Sequence, residues 1–198
     1  MNYKIGIFAS AAGNETSNKD ILQKARILGE ELGKRKLTVI NGACPGLPYQ
    51  VSFHAAKNGA TVFGYSPELD LLGQKKFCPN DDLSIYQKII YTPKTFPFSR
   101  NNLVSKKYRN VISTANCDGG IIISGRWGTM NEFTNLFDME KVIGVLTGTG
   151  GIADELEKLN KKINKKSNAK IFFSSSPKKL IELITEELNK RKDQKSAV

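Results

Sequence analysis

Apolar runs of four to six residues alternate along this chain with longer segments in which apolar positions recur every three or four residues. The short runs occupy 4–9, 38–41, 61–65, 89–92, 119–124, 142–146 and 170–173. They are continuously apolar, the pattern of strands covered on both faces, and such strands run parallel because helices return the chain between them. The longer segments predict helices over 18–35, 48–58, 99–114, 129–139, 152–162 and 177–191. In the first of these, Ile21, Ala25, Leu28 and Leu32 form one apolar stripe, with Ser17 or Asn18 placed to cap it. Pro177 stands where a first helical turn favours proline. The alternation predicts an α/β fold: a Rossmann-like, doubly wound parallel sheet of about seven strands with helices on both faces. One domain is expected over 1–191, followed by a basic disordered tail over 192–198. The one long irregular stretch, 66–88, is a loop placed to cover a site.

Composition narrows the function classes. With 198 residues, 39% of them hydrophobic and 25% charged, the chain has the make-up of one folded globular domain. No apolar run nears the ~20 residues of a membrane helix, and the amino terminus lacks a signal peptide's basic and long apolar regions, so no membrane association is expected. Cys44, Cys78 and Cys117 have neither CxxC nor Cys/His metal spacing, which fits a reducing cytoplasm. The net charge of +11 is concentrated in lysines near the carboxy terminus that lack interleaved aromatics. They read as solvated helix faces, and nucleic acid is not the expected partner.

Three strand ends run into small-residue turns: SAAG at 10–13, NGACPGLP at 41–48 and SGRWGT at 124–129. In a parallel sheet all three fall on the carboxyl edge. There, glycine lets the backbone approach a ligand, and the following helix offers unpaired N–H groups and a positive dipole end. A phosphate ester is the natural guest. Neither GxGxxG in dinucleotide spacing nor GxxxxGK[ST] is present, which disfavours a Rossmann dehydrogenase and a P-loop nucleotidase.

The third turn continues as SGRWGTMNEF, and here the sequence resembles the LOG ("lonely guy") family, once described as lysine decarboxylases, whose signature is PGGxGTxxE. Gly125, Gly128, Thr129 and Glu132 match it, while Ser124 replaces the proline and Arg126 the second glycine. Arg109 stands sixteen residues before Gly125, the spacing of that family's catalytic arginine. FASAAG is similar to the family's FCGSSxG, and NGACPGLP to its GGGxxGLMG, with Gly42, Gly46 and Leu47 kept and Ala43 and Cys44 in place of two glycines. The segment GVLTGTGGIADEL is more similar to nucleotide-binding and molybdenum-cofactor-carrier relatives within the superfamily.

The resemblance implies a phosphoribohydrolase that cleaves the N-glycosidic bond of a nucleoside 5′-monophosphate, releasing free base and ribose 5-phosphate. Ser10, Gly42, Gly46, Gly125, Arg126, Trp127, Gly128 and Thr129 would bind the substrate, its phosphate held by the amides of 125–129 and the Thr129 hydroxyl. Arg109 and Glu132 would be catalytic, with neither metal nor organic cofactor. A homodimer paired through the helices around the signature is expected. The rival is a non-catalytic binder or carrier of a nucleotide or molybdopterin cofactor: Ser124, Arg126, Ala43 and Cys44 favour it, and the combination of Arg109 with Glu132 opposes it. A third class, a single-strand DNA binder, rests on the +11 charge and on other members of the superfamily.

Further expectations concern single residues. Arg100 and Arg109, nine apart on one helix, face nearly opposite ways, so only Arg109 enters the site. Lys106 and Lys107 read as solvated, and His54 is given no role. Trp127 stacks on a base or closes the mouth of the site, or it caps the core. Glu132, placed in the first turn of a helix beginning near Thr129, is expected to be ionised, its pKa lowered by the helix dipole, and so unable to act as a general acid.

Overall fold

The continuous apolar runs become a seven-stranded, all-parallel sheet in the computed structural model, which describes residues 3–163 and 165–196. In chain order the elements are β1 (Lys4–Ala9), α1 (Lys19–Lys34), β2 (Thr38–Asn41), α2 (Leu47–Lys57), β3 (Thr61–Ser66), α3 (Leu71–Phe77), β4 (Lys88–Tyr91), α4 (Asn102–Ala115), β5 (Gly119–Ile123), α5 (Trp127–Asp138), β6 (Val142–Leu146), α6 (Leu156–Ile163), β7 (Lys170–Ser174) and α7 (Pro177–Ser196). All seven predicted strands are present. Short 3-10 turns at Asn14–Thr16, Leu83–Ile85 and Gly151–Asp154 fill the connections.

The strand order is β4-β3-β2-β1-β5-β6-β7. The chain winds outward from β1 to β4, crosses back through α4, and winds outward again from β5, so the order reverses between β1 and β5. Loops leaving two such strands diverge and open a crevice at their carboxyl ends, the usual ligand position in open α/β sheets. Two apolar layers seal the sheet. One joins Ile5, Ile7, Val39 and Ile121 to the buried stripes of α1, α2 and α7; the other joins Phe8, Ile40, Ile122 and Val145 to Phe133, Leu136 and Leu156 of α5 and α6.

Several features differ from the sequence expectation: α4 and α6 start at Asn102 and Leu156, later than 99 and 152, and three further differences stand out. The stretch 66–88 contains α3, anchored by Gln74, which is fully buried and donates from Nε2 to the Ala43 carbonyl (2.8 Å). The closing helix continues through 192–196, expected as tail, while 197–198 lie outside the described residues. The helix carrying the signature starts at Trp127, two residues before Thr129. Among the described residues, no helix is long and apolar enough to cross a membrane.

Candidate functional site

The first and third turns meet at the point where the strand order reverses. Ser10 Oγ and Ser124 Oγ lie 3.1 Å apart, and the Gly125 N–H donates to Ser10 Oγ (3.0 Å). The second turn joins them where the Leu47 N–H donates to the Ser10 carbonyl (3.0 Å). Gly46, at φ 77°, packs so tightly on the Ala11 backbone that a Cβ there has no room. Around this knot lies a cavity of about 480 Å³.

Of the expected residues, Ser10, Gly42, Arg109, Arg126, Gly128, Thr129 and Glu132 line the cavity. Gly46, Gly125 and Trp127 do not. Gly46 and Gly125 shape the turns, and the Gly125 amide is committed to Ser10, which withdraws it from the expected phosphate cradle. Trp127 is 83% exposed at the start of α5, so it does not cap the core. Gly42 makes room: a Cβ there would fall on the Arg109 guanidinium, whose Nη1 donates to the Gly42 carbonyl. Arg100 is exposed in the turn before α4 and away from the cavity.

What remains of the cradle is the first turn of α5. Trp127, Gly128 and Thr129 are its opening residues, and a helix's first N–H groups have no partner within it. Thr129 is buried on the cavity wall, and its hydroxyl makes no hydrogen bond within the described residues. A Cβ on Gly128 would meet nothing within 4 Å, so the space beside it is open to a ligand. Lys106 and Lys107, expected to be solvated, line the same cavity with Arg126, giving it a cationic rim suited to an anion.

Glu132 overturns its expected protonation. It is the sixth residue of α5, beyond the turn where the dipole helps a carboxylate, and only 7% exposed. Burial raises its carboxyl from 4.5 to about 7, against the opposing pull of Arg109 and Lys107. Near neutrality this group both holds and releases a proton.

Sequence reasoning gave no role to Pro45, Pro48, Phe77 and Asn110, which line the cavity together with Cys44 of the second turn. Cys44 is a buried thiol whose pKa is raised by desolvation, so it is not a thiolate. Phe77 arrives on the unforeseen α3, under the Lys106 ammonium. Lys106 was accessible to reasoning, because it lies three residues before Arg109 and so on the same helix face. His54 lies on α2, against Phe53 and Gly29 and away from the cavity. Among the described residues, no group of three or more His, Cys, Asp or Glu is placed to hold a metal.

A Rossmann-like sheet with its cavity at the reversal of strand order, built from a glycine-bearing turn and a helix N-terminus, defines a LOG-like superfamily protein. The chain belongs to the SLOG cluster4 family, whose model matches residues 2–181. Solved structures with the same fold include TM1055, a structural-genomics target, at 19% identity and TM-score 0.74, covering 94% of this chain and 99% of that one. The molybdenum cofactor binding protein of the phototrophic bacterium Rippkaea orientalis is similar at 18% identity and TM-score 0.67, covering 95% and 98%. DNA processing protein A from Streptococcus pneumoniae is similar at 14% identity and TM-score 0.63, covering 91% of this chain and 61% of that one. No curated protein matches the chain.

Proposed function

We propose that the protein binds a nucleoside 5′-monophosphate in this cavity and hydrolyses its N-glycosidic bond. The observation that carries the reading is that Arg109 and a buried Glu132, whose carboxyl is raised to about 7, line the same cavity as an open helix N-terminus. The phosphate sits at the free amides of α5 with the Thr129 hydroxyl and the lysine rim, and this anchors the ribose toward Arg109 and Glu132. Glu132 in its protonated form supplies what the sequence left unassigned, a proton for the departing base. The C1′–N bond breaks as the base nitrogen takes that proton, water adds its oxygen to C1′, and the proton lost by water returns to the carboxylate. Arg109 stays charged and orients the group it faces.

A purified sample given a panel of nucleoside monophosphates should release free base, with turnover falling as pH rises through about 7 and the Glu132 proton is lost. Glu132→Gln should fold, keep nucleotide affinity and lose turnover by ~10²-fold or more. Parent-like turnover in that variant removes Glu132 from the chemistry. A second reading, a carrier that binds without hydrolysis, is favoured by Cys44 and Arg126 lining the cavity where the LOG pattern has glycine. Binding across the panel without base release selects it. The same signature helices leave Leu103, Val111 and Trp127 exposed, which supports a homodimer formed through α4 and α5.

A further inference from the structure

The wider groove at the opposite sheet edge, about 1020 Å³ between α7 and the strand starts, offers no comparable set of open groups. Its Arg191 is spent on the Glu140 and Asn168 carbonyls and on Glu187. The glycine turn after β6 is likewise filled from within: the Gly148 and Gly150 amides both donate to the Asp154 carboxylate (2.6 and 2.9 Å). The candidate cavity differs, because two buried polar atoms of its lining residues have no partner among the described residues.

These atoms are Asn110 Oδ1 and Arg109 Nε, on consecutive residues of α4 that both line the cavity. Asn110 is only 3% exposed. As placed, the Asn110 Nδ2 donates to the Gly128 carbonyl (3.4 Å), a group that only accepts. The same Nδ2 donates to Asn131 Oδ1 (3.1 Å), so the acceptor is the end left over. A buried acceptor without a partner is costly and rare in folded proteins, and one beside a cavity is explained when a ligand completes it. The neighbouring orphan, Arg109 Nε, is a donor, and a sugar carries hydroxyls that can donate to one atom and accept from the other. A third unpartnered atom, Asn135 Nδ2, lies on α5 outside the cavity and has no part in this.

We infer that Asn110 is a specificity-determining residue whose Oδ1 accepts a hydrogen bond from a ribose hydroxyl, while Arg109 Nε donates to the same sugar. The inference rests on the nucleotide reading of the cavity. It makes the site a reader of the sugar as well as of the phosphate, with the Asn110 amide nitrogen tying that reader to the first turn of α5.

The probes are ribose 5-phosphate and its 2-deoxy and 3-deoxy forms, which carry the shared part of every candidate substrate and no base. Calorimetric titration of the parent should show ribose 5-phosphate binding roughly tenfold or more tightly than one of the deoxy forms, the penalty for leaving a buried acceptor unpaired. In Asn110→Leu that preference should collapse to less than about twofold while phosphate-dependent binding persists. Equal affinity of the parent for all three, or a preference undiminished in a folded Asn110→Leu, overturns the role of Asn110 and leaves the nucleotide reading standing. Absence of binding by all three overturns the nucleotide reading and this inference together. Should Asn110→Leu not fold, the parent complex with ribose 5-phosphate decides: a sugar hydroxyl within hydrogen-bond reach of Asn110 Oδ1 supports the assignment, and one paired elsewhere ends it.

Discussion

A carboxyl group buried on a cavity wall titrates against the folding equilibrium, and Glu132 does so within the physiological range. Its pKa is about 7 in the fold and near 4.5 when unfolded, so the folded state holds the proton more tightly. Stability from this group is fully present below pH 4.5 and is lost as pH rises through 7, by up to about 3 kcal/mol. Glu132→Gln should remove that slope: urea unfolding at pH 5 and pH 8 should show a variant near the parent at the lower pH and more stable than it at the higher. Equal slopes in both proteins would return the carboxyl to its ordinary range. Gly42 makes a complementary case. Because a Cβ there collides with the Arg109 guanidinium, Gly42→Ala should displace the arginine and weaken nucleotide binding by about tenfold, read by calorimetry, while the helices and sheet persist by circular dichroism. The resemblance pointed to Gly42, Arg109 and Glu132 from spacing. Their roles were hidden, because the seat for a guanidinium and the desolvation of a carboxyl depend on chain segments distant in sequence.

At the scale of elements, α5 presents a test that separates fold from function. Gly128 is helical and faces open cavity, so Gly128→Ala should leave thermal stability unchanged or raise it by up to about 1 kcal/mol, as alanine favours helix. The same methyl group intrudes where the phosphate is placed, so affinity for a 5′-monophosphate should fall. Unaltered affinity would move the phosphate away from this turn. Thr129→Ala should cost ~1.5–3 kcal/mol of 5′-monophosphate binding and almost nothing for the unphosphorylated nucleoside, since only the charged group uses the hydroxyl. Equal losses for both ligands would deny the cradle. Why α3 escaped sequence reading is also plain at this scale. Its leucines Leu71 and Leu72 are 48% and 66% exposed while its polar Gln74 is fully buried, bonded to Ala43 and Ser66. Apolar periodicity cannot find a helix whose buried anchor is an amide.

For the molecule as a whole, the exposed apolar residues of α4 and α5 bear on assembly. Leu103 is 75%, Val111 42% and Trp127 83% exposed on two helices that pack together. Sedimentation should show a dimer that Leu103→Glu with Trp127→Glu converts to monomer, and a parent that sediments as a monomer at high concentration would refute the pairing. The seven strands, their parallel sense and the use of the carboxyl edge were legible in the chain, because both-face burial writes itself as continuous apolar runs and each turn marks its own strand end. Local physics was enough for these. Tertiary structure decided the rest: that β1 and β5 lie side by side so that Ser10 meets Ser124, that Gly125 spends its amide on Ser10, that Trp127 faces solvent, and that Asn110 is buried with an open acceptor. Each depends on which distant segments desolvate or satisfy a group, a property of the packed neighbourhood that the sequence of one segment does not contain.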